Sequence, residues 1–532
     1  MNKKIRKLMV SLLVLSTIIF FSTSPISAAV VEPTGKLKPP SESFTPGTWF
    51  LGSTPPNYNS SRPPIVFVQG KNGSSTSWYG ETTYHGINDM YTKAYEAGYQ
   101  TVFVQLYDAA GNGSSNQYRN GQLLSSMLAQ ISRHFNGKKV NIIAHSKGGP
   151  DTQAALVHYG AHPYVGRVIT LGSPHHGSNL ADLAYSWWAG WLGSLLGQND
   201  DGTYSLQTGQ MAQFRSVTDS HANSRKNKYY TVAGTDTGPA FSALATGGLY
   251  LSSYGDNDGL VNVWSTKLPY GNHLFTASNL DHDNIRVGTA VFSRIEPYLR
   301  TASVAGASNV LNSSEADELI KTAASQYIHG GELVQNDWVK HSFSVGNSTA
   351  GNITVLTASD SVEVEVISPS GMVSPGKPIT KSILDEAAIF PGANSHTFSL
   401  PNMEAGEWTV RMKTSADDDA YLLAAQYKDS DSIILEMPGM VKEKDAQFTL
   451  KMPLSANIQL GKATFTIHLV DEDGNKISKP TSINNINSNS FSGILPEVPQ
   501  SGVYNMTIDI KGKSSTGIDF NKTIVRSVYI EK

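Results

Sequence analysis

Over the first 300 residues, short apolar runs alternate with longer stretches in which apolar residues recur at helical spacing. Repeated strand–helix units of this kind form a parallel sheet covered by helices on both faces, with ligands at the carboxyl ends of the strands. The pattern therefore predicts an α/β fold over residues 29–300. The predicted strands are Ile65 to Gln69, Thr101 to Leu106, the run before Ser146, Val165 to Leu171 and Tyr229 to Ala233. The predicted helices are Ile87 to Ala97, Gln122 to Phe135, Asp151 to Tyr159 and Ile285 to Leu299.

The pattern changes near residue 300. Residues 301–335 read as a linker, in which Glu315 to Tyr327 could form one helix. From about Trp338 onward, apolar and polar residues alternate in short segments that are separated by Gly, Pro, Asn and Asp, as in strands of an antiparallel sheet. We predict two small all-β sandwich domains, at residues 336–438 and 439–532, divided near Pro438 and Gly439.

Residues 1–28 have the features of a secretion signal. A basic segment precedes the apolar core Leu8 to Phe21, and small residues follow at a candidate cleavage site. The chain has no cysteine, so an exported product would fold without disulfides. Its formal net charge of −3 argues against nucleic acid as a natural partner. We expect a secreted, extracellular protein with more than one domain.

Ser146 lies in the sequence Ala144-His145-Ser146-Lys147-Gly148, directly after a predicted strand and before a predicted helix. In this strand–turn–helix context, small residues on both sides allow a sharp turn that exposes the serine hydroxyl for attack on an ester. The motif alone is common, and a simple strand-ending turn is the alternative. The context favours a nucleophile.

Ester cleavage by serine needs a base, and an acid that orients the base. In the order Ser, acid, His, the downstream candidates are Asp258, in Asn-Asp-Gly, and His282, in Asp-His-Asp. Asp256 is the rival acid and His273 the rival base, although His273 precedes an apolar stretch and looks structural.

Backbone N–H groups should stabilise the oxyanion that forms during the reaction. One candidate donor is Lys147, directly after the nucleophile. The other is Lys71, in the Gly-rich loop that follows the strand Ile65 to Gln69. The two lysine side chains could also favour an anionic group in the substrate, with solvated surface lysines as the alternative.

Four segments together resemble the secreted bacterial triacylglycerol lipases of the α/β-hydrolase fold, over about residues 60 to 300. The resemblance implies that Ser146, Asp258 and His282 form the catalytic triad, and that Lys71 and Lys147 are the oxyanion donors. Gln69 departs from the family, which commonly has His there, so we expect the loop to be supported differently. The four segments are Val68-Gln69-Gly70, Ala144 to Gly149, Gly172 to Ser178, and Asn257 to Val261.

Related lipases often bind a structural Ca²⁺ near the catalytic histidine through two aspartates. Here Asp283 directly follows His282, whereas the family pattern places the aspartate two positions after the histidine. Asp236 is an uncertain upstream partner. The resemblance therefore implies no required cofactor and leaves a structural Ca²⁺ open.

The segment Leu180 to Leu196 is unusually apolar and contains Trp187, Trp188 and Trp191. We expect these tryptophans to contact substrate, as part of a lid or an acyl-chain wall that opens on lipid. A buried core helix is the alternative. The sandwich domains have no catalytic cluster and could bind a surface or a polymer.

These observations predict a secreted serine carboxylic-ester hydrolase, a lipase or esterase that acts on lipid esters through an acyl-enzyme. Two alternatives stay open. One is an extracellular depolymerase of polyhydroxyalkanoate-type polyesters, which uses the same chemistry. The other is a non-catalytic surface-binding protein, which the presence of all three candidate residues disfavours.

Overall fold

The computed structural model describes fourteen stretches of the chain. The predicted signal sequence, residues 1–28, lies outside them, and so does most of the predicted helix Glu315 to Tyr327. No helix within the described stretches is long and apolar enough to cross a membrane. The described residues are 30–31, 37–110, 114–196, 200–240, 242–305, 322–324, 326–347, 349–375, 390–427, 433–451, 463–477, 482–487, 490–514 and 517–532.

A seven-stranded sheet organises the first 300 residues. Its strand order is β3-β5-β4-β6-β7-β8-β9, and all neighbours are parallel except the edge pair β3 and β5. A separate antiparallel pair, β1 and β2, precedes it. The strands are β1 Val30–Val31, β2 Leu37–Lys38, β3 Trp49–Leu51, β4 Ile65–Val68, β5 Thr101–Val104, β6 Val140–His145, β7 Val165–Leu171, β8 Lys228–Gly234 and β9 Asn272–Ala277.

Helices cover both faces of this sheet, as the alternating pattern predicts. Two apolar clusters pack on opposite faces of the strands: Val66 and Ile142 belong to one cluster, whereas Phe67 and Ile143 belong to the other. Because successive strand residues point to opposite faces, an unbroken apolar run fills both layers. The helices are α1 Met90–Glu96, α2 Gln117–His134, α3 Gly148–Val157, α4 Asn179–Ala184, α5 Gly190–Leu195, α6 Asp201–Ser205, α7 Thr208–Thr218, α8 Ala243–Leu251 and α9 Gly288–Ile295.

Several elements differ from the sequence prediction: strand β3 and helices α6, α7 and α8 were not predicted, and two further differences have a clear cause. The closing helix is shorter than Ile285 to Leu299, because α9 is flanked by separate 3-10 turns, one of which contains a proline in its first turn. Strand β9 was not predicted at all. Its residues are mostly half-buried, so they form neither an unbroken apolar run nor a clear alternation.

The C-terminal half forms two β-sandwiches. The first pairs the sheets β11-β18-β13-β16 and β12-β17-β14-β15, and the second pairs β10-β19-β21-β24-β23 and β20-β26-β25-β22. Each sandwich encloses its own apolar cluster. The strands are β10 Thr322–Ala324, β11 Gln326–Leu333, β12 Val339–Val345, β13 Thr349–Thr357, β14 Glu363–Ile367, β15 Val373–Pro375, β16 Asn394–Met403, β17 Gly406–Lys413, β18 Asp419–Tyr427, β19 Ile433–Glu436, β20 Met440–Lys442, β21 Gln447–Lys451, β22 Thr464–Val470, β23 Ser482–Asn487, β24 Ser490–Ile494, β25 Gly502–Lys513 and β26 Asp519–Glu531.

Strand pairing crosses the domain boundaries that the sequence predicted. Strands β10 and β11 lie within the predicted linker 301–335, and their residues belong to sheets rather than to the predicted helix. Strand β19 lies before the predicted division at Pro438, yet it pairs with β21 of the second sandwich. The first boundary differs because the partners of β10 and β11 lie far along the chain, where no local pattern marks the pairing.

The sandwiches pack directly against the α/β domain. Gly209 in α7 donates its backbone N–H to Ser527 Oγ of β26 at 2.7 Å, and a Cβ at Gly209 would lie 2.7 Å from the Val528 nitrogen. The buried Asp182 carboxylate of α4 accepts from the same Ser527 hydroxyl at 2.5 Å and from the Thr208 N–H at 2.9 Å. The contact is therefore close, buried and polar.

Aromatic stacking extends this contact. The Trp188 ring stacks on His329 of β11, with ring centroids 4.1 Å apart, and His329 stacks in turn on His341 at 3.6 Å. The Tyr421 hydroxyl forms a hydrogen bond with His329 Nδ1 at 3.0 Å. Burial, together with the charges of His341 and Lys511, lowers the pKa of His329 to about 3.

We expect the contact at Trp188 to weaken in acid. His329 is neutral in the folded protein, whereas the imidazole of the unfolded chain has an ordinary pKa near 6.5. Stabilisation is therefore complete above pH 6.5 and is lost as the pH falls from 6.5 towards 3. His329→Phe keeps a stacking ring that does not titrate. The melting temperature measured by calorimetry should fall more steeply between pH 7.5 and 5 in the wild type than in this variant, and equal slopes would contradict the prediction.

Candidate active site

Ser146 lies in the turn between strand β6 and helix α3, at the carboxyl edge of the sheet. Its φ of 52° is in the left-handed region, which is strained for a residue with a side chain. Its backbone N–H donates to the Leu171 carbonyl of β7 at 3.0 Å, which fixes the turn to the neighbouring strand. The serine is only 6% exposed.

Ser146, His282 and Asp258 form a continuous hydrogen-bonded chain. His282 Nε2 lies 2.9 Å from Ser146 Oγ, and His282 Nδ1 lies 2.9 Å from Asp258 Oδ2. All three side chains are buried. With Nδ1 donating to the carboxylate, Nε2 has the free electron pair that a general base needs.

The Asp258 carboxylate is itself oriented by backbone groups. Its Oδ1 accepts from the N–H groups of Leu260 at 3.1 Å and Val261 at 2.8 Å, which leaves Oδ2 for the histidine. Gly172, with a φ of 58°, lies beside this pair: a Cβ there would be 2.9 Å from Asp258 Oδ2. The absence of a side chain at Gly172, directly after β7, thus leaves room for Asp258 and His282.

Neither rival residue takes part in the hydrogen bonds that join Ser146, His282 and Asp258. Asp256 is exposed on the loop before Asp258. His273 lies in strand β9, where its ring contacts the hydroxyls of Thr231 at 3.0 Å and Thr276 at 2.9 Å. His273 therefore bonds to neighbouring residues of the sheet, in line with a structural role.

His145, directly before the nucleophile, fixes the peptide of His282. Its Nε2 lies 2.9 Å from the His282 carbonyl oxygen, so Nε2 is the donor. The His282 N–H donates to the Asp258 carbonyl at 2.9 Å. Burial lowers the pKa of His145 well below 6.5, and the nearby charges of His282 and Arg286 lower it further. A neutral His145 does not oppose a positive charge on His282.

The segments that contain the two predicted oxyanion donors meet at the serine. Gly70 packs so closely that a Cβ would lie 2.9 Å from Ser146 Cβ. Among the described residues, neither the Lys71 N–H nor the Lys147 N–H has a hydrogen-bond acceptor. With its amide oriented to satisfy both neighbours, Gln69 donates to the Val104 carbonyl at 3.1 Å and accepts from the Leu106 N–H at 2.8 Å. This contact supports the loop.

The side chains of the two lysines are not placed to receive an anionic substrate group. The Lys147 ammonium is fully buried and lies 3.0 Å from both carboxylate oxygens of Asp151. The Lys71 ammonium is buried and lies 3.0 Å from Asp200 Oδ2. The sequence suggested a charged surface near the nucleophile, but both ammonium groups are buried and each lies beside a carboxylate. No sequence signal identified Asp108, Asp151 or Asp200 as partners.

Of the three tryptophans predicted to contact substrate, Trp187 and Trp188 contact the C-terminal sandwiches, and their contact with substrate stays a prediction. The Trp187 ring is parallel to that of His468 in β22, at 4.9 Å, and contacts Trp191 edge to face. Trp188 Nε1 donates to Asp509 Oδ2 of β25 at 3.1 Å. Sequence reasoning identified an unusual apolar segment but not its partner, because the partner strands lie more than 130 residues away.

A calcium site does not fit the residues near the histidine. Asp283 accepts from the Tyr84 N–H at 2.8 Å and from the guanidinium of Arg286 at 2.6 Å, so an arginine lies where a cation would bind. Asp236 accepts from the Gly238 N–H instead. Within the described stretches, no group of three or more His, Asp or Glu side chains could hold a metal ion.

Solved structures and characterised proteins resemble this chain. Lipase BlEst2 of Bacillus licheniformis, solved in its propeptide form, is 32% identical; the match covers 92% of this chain and 98% of that one, with a TM-score of 0.73. Its mature form is 46% identical over 48% of this chain and 100% of that one, with a TM-score of 0.44. No family model matches.

The long match to BlEst2 decides the family. The chain belongs to the lipase and esterase family of the α/β-hydrolase fold. A triacylglycerol lipase of Vibrio cholerae is 31% identical over 144 residues, which is 27% of this chain and 42% of that protein, so the match spans less than half of the relative. Lipases and esterases are hydrolases, so these relatives support a hydrolase function for this chain.

We expect this lipase-family protein to need no calcium for stability. The Arg286 guanidinium supplies the positive charge beside the buried Asp283 carboxylate. Removing it in Arg286→Met should lower the free energy of unfolding by about 3–5 kcal/mol. A chelator should leave the melting temperature of the wild type unchanged. Lys93→Met, which removes a surface ion pair with Glu96, is the control and should change stability by less than about 1 kcal/mol. A melting temperature that falls with chelator and recovers with Ca²⁺ would contradict this prediction.

Proposed function

We propose that the protein is a secreted serine carboxylic-ester hydrolase that cleaves lipid esters through an acyl-enzyme. The observation that supports this proposal best is the buried chain from Asp258 through His282 to Ser146, with both hydrogen bonds at 2.9 Å. A serine hydroxyl is a weak nucleophile by itself, and an adjacent oriented base activates it. The arrangement has no simpler structural purpose, since it keeps three polar side chains buried beside a strained turn.

In the first half of the reaction, Ser146 Oγ attacks the ester carbonyl carbon while His282 Nε2 accepts the hydroxyl proton. The carbonyl oxygen becomes an oxyanion, which the N–H groups of Lys71 and Lys147 stabilise. The Asp258 carboxylate stabilises the imidazolium. The C–O bond to the alcohol then breaks, and the imidazolium returns its proton to the departing alkoxide oxygen. An acyl-serine and a free alcohol result.

In the second half, water takes the place of the alcohol. His282 Nε2 accepts a proton from the water as its oxygen attacks the acyl carbon, and the oxyanion forms in the same position. Collapse breaks the bond to Ser146 Oγ, which recovers its proton from the imidazolium. The products are the carboxylic acid and the free serine.

Lipid esters are the favoured substrate class because the relatives are named lipases. The polyester depolymerase remains the second candidate, since its chemistry needs the same three residues. Activity against emulsified triacylglycerol and against polyester film separates the two.

We further propose that the C-terminal half is a pro-segment that limits access to the serine. BlEst2 was solved in a propeptide form that this chain matches over most of its length. Here β26 and β25 contact the helical segment, residues 179–196 and 200–218, through Ser527 and Asp509. The same segment reaches the oxyanion loop through the ion pair of Asp200 with Lys71. The pro-segment, the helical segment and the site are thus in continuous contact.

Ser146→Ala should abolish hydrolysis of a short-chain chromogenic ester, with a loss of kcat of roughly 10⁶-fold, because no nucleophile remains. Asp258→Asn should lower kcat by about 10⁴-fold through loss of the correct histidine tautomer. A fluorophosphonate should label the wild type at Ser146 only, as peptide mapping would show. Ser125→Ala, on helix α2, is the matched control and should keep wild-type turnover.

Undiminished turnover in Ser146→Ala would refute the assignment, provided that the variant melts at the wild-type temperature. Labelling of a different serine would refute it as well.

Cleavage between the two halves should activate the enzyme. A recognition sequence for a site-specific protease, inserted between Ala305 and Thr322, allows the chain to be cut after folding. Once gel filtration has separated the halves, kcat/KM on an emulsified ester should rise by about tenfold or more, because the accessible fraction of the site increases. Equal activity before and after separation would contradict the pro-segment proposal but not the esterase assignment.

A further inference from the structure

The side chain of Lys147 connects the nucleophile turn to a buried polar cluster, which we call the Lys147 cluster: Lys147, Asp151, Asp108 and Asn120. The ammonium lies 3.0 Å from Asp151 and 3.9 Å from Asp108 Oδ2. The Asn120 amide nitrogen donates to Asp108 Oδ2 at 2.6 Å and to Asp151 Oδ2 at 2.9 Å. All four side chains are at most 1% exposed.

The same cluster reaches the oxyanion loop. Asp108 Oδ1 accepts from the backbone N–H of Asn72 at 3.2 Å, and it also accepts from the Ser114 hydroxyl. Asn72 directly follows Lys71 and has a φ of 54°, an uncommon conformation that a hydrogen bond to its N–H helps to maintain. The Asp108 carboxylate therefore contacts the loop that contains the first donor, Lys71, and lies beside the side chain of the second donor, Lys147.

Stability alone does not account for buried charges at this place. Burial raises the pKa of Asp151 to about 7, and the Lys147 ammonium opposes that rise. Such buried pairs are often no more stabilising than apolar side chains of similar volume. Unlike apolar packing, hydrogen bonds from fixed donors to a carboxylate set a direction and a distance. The cluster thus provides alignment between two chain segments.

We propose that Asp108 is a positioning residue for the oxyanion donors: it fixes the Lys71 loop against the nucleophile turn through Asn72, Asn120 and Lys147. This inference rests on the proposed esterase function and deepens it. Asp108 touches no reacting atom. Its effect on the reaction is the alignment of two N–H groups that must reach one oxygen atom at the same time.

Two substitutions separate alignment from simple stability. Asp108→Asn keeps an oxygen that can accept from the Asn72 N–H, whereas Asp108→Ala removes both acceptors. Misplacement of a catalytic group by about 1 Å can cost 10²-fold in rate. We expect kcat of Asp108→Ala to fall by about 10- to 100-fold with KM changed by less than about threefold, and Asp108→Asn to recover part of this loss. Rates are expressed per active site titrated with a fluorophosphonate.

A trifluoromethyl ketone gives a readout specific to the oxyanion. The ketone forms a tetrahedral adduct whose oxygen occupies the same position, so its affinity should fall by the same factor as kcat, while KM stays nearly constant. Glu296→Ala is the matched control. Glu296 is buried and accepts from Tyr99 and Arg300 at the far end of the sheet, so this variant should lose stability but keep kcat per titrated site.

The outcomes are distinct. Wild-type kcat and ketone affinity in Asp108→Ala, with a lowered melting temperature as in Glu296→Ala, would overturn the positioning role. If Asp108→Ala does not fold, Lys147→Met decides, because it removes the charge that holds Asp108 and should lower kcat and ketone affinity together; unchanged values would overturn the role. Activity retained in Ser146→Ala would instead refute the esterase function itself.

Discussion

The site depends on the close approach of three chain segments at the carboxyl end of strand β6. Ser146 adopts a left-handed backbone conformation there. Gly70, after β4, packs against Ser146, and Gly172, after β7, packs against Asp258 and His282, both at distances that leave little room for a Cβ. Strands β4 and β7 are the immediate neighbours of β6 in the sheet. The parallel arrangement therefore delivers all three segments to one edge, and the small residues allow them to meet.

Close approach of backbones excludes water, and the polar groups at this edge must then be satisfied by one another. This constraint explains why the neighbourhood of Ser146 contains several buried ionisable side chains. His145 bonds to the His282 carbonyl, and Lys147 bonds to Asp151. The residues on either side of the nucleophile thus each connect the turn to a different part of the domain: one to the loop of the base, the other to helix α3 and, beyond it, to the oxyanion loop.

The sequence predicted those strands and site residues that a short, local pattern of residues identifies. Apolar runs placed strands such as Val165–Leu171 at the observed residues, and short motifs selected Ser146, Asp258 and His282, which the structure brings within hydrogen-bond distance. Long-range partners carried no such signal. A lysine in a sequence reads as a solvated residue, so the burial of Lys147 became visible only when Asp108 and Asp151 were placed around it.

The tryptophan-rich segment shows the same limit and also links the two halves of the molecule. Its aromatic side chains suggested a lipid surface, yet Trp187 and Trp188 stack on imidazoles of the sandwiches. The nucleophile itself is only 6% exposed, so an ester has limited access to its hydroxyl. The helical segment contacts the oxyanion loop through Asp200 and β26 through Gly209, so it lies between the site and the C-terminal half. On the pro-segment proposal, this helical segment is what couples access to the site with attachment of the sandwiches, and its aromatic surface would meet lipid only after the sandwiches have left it.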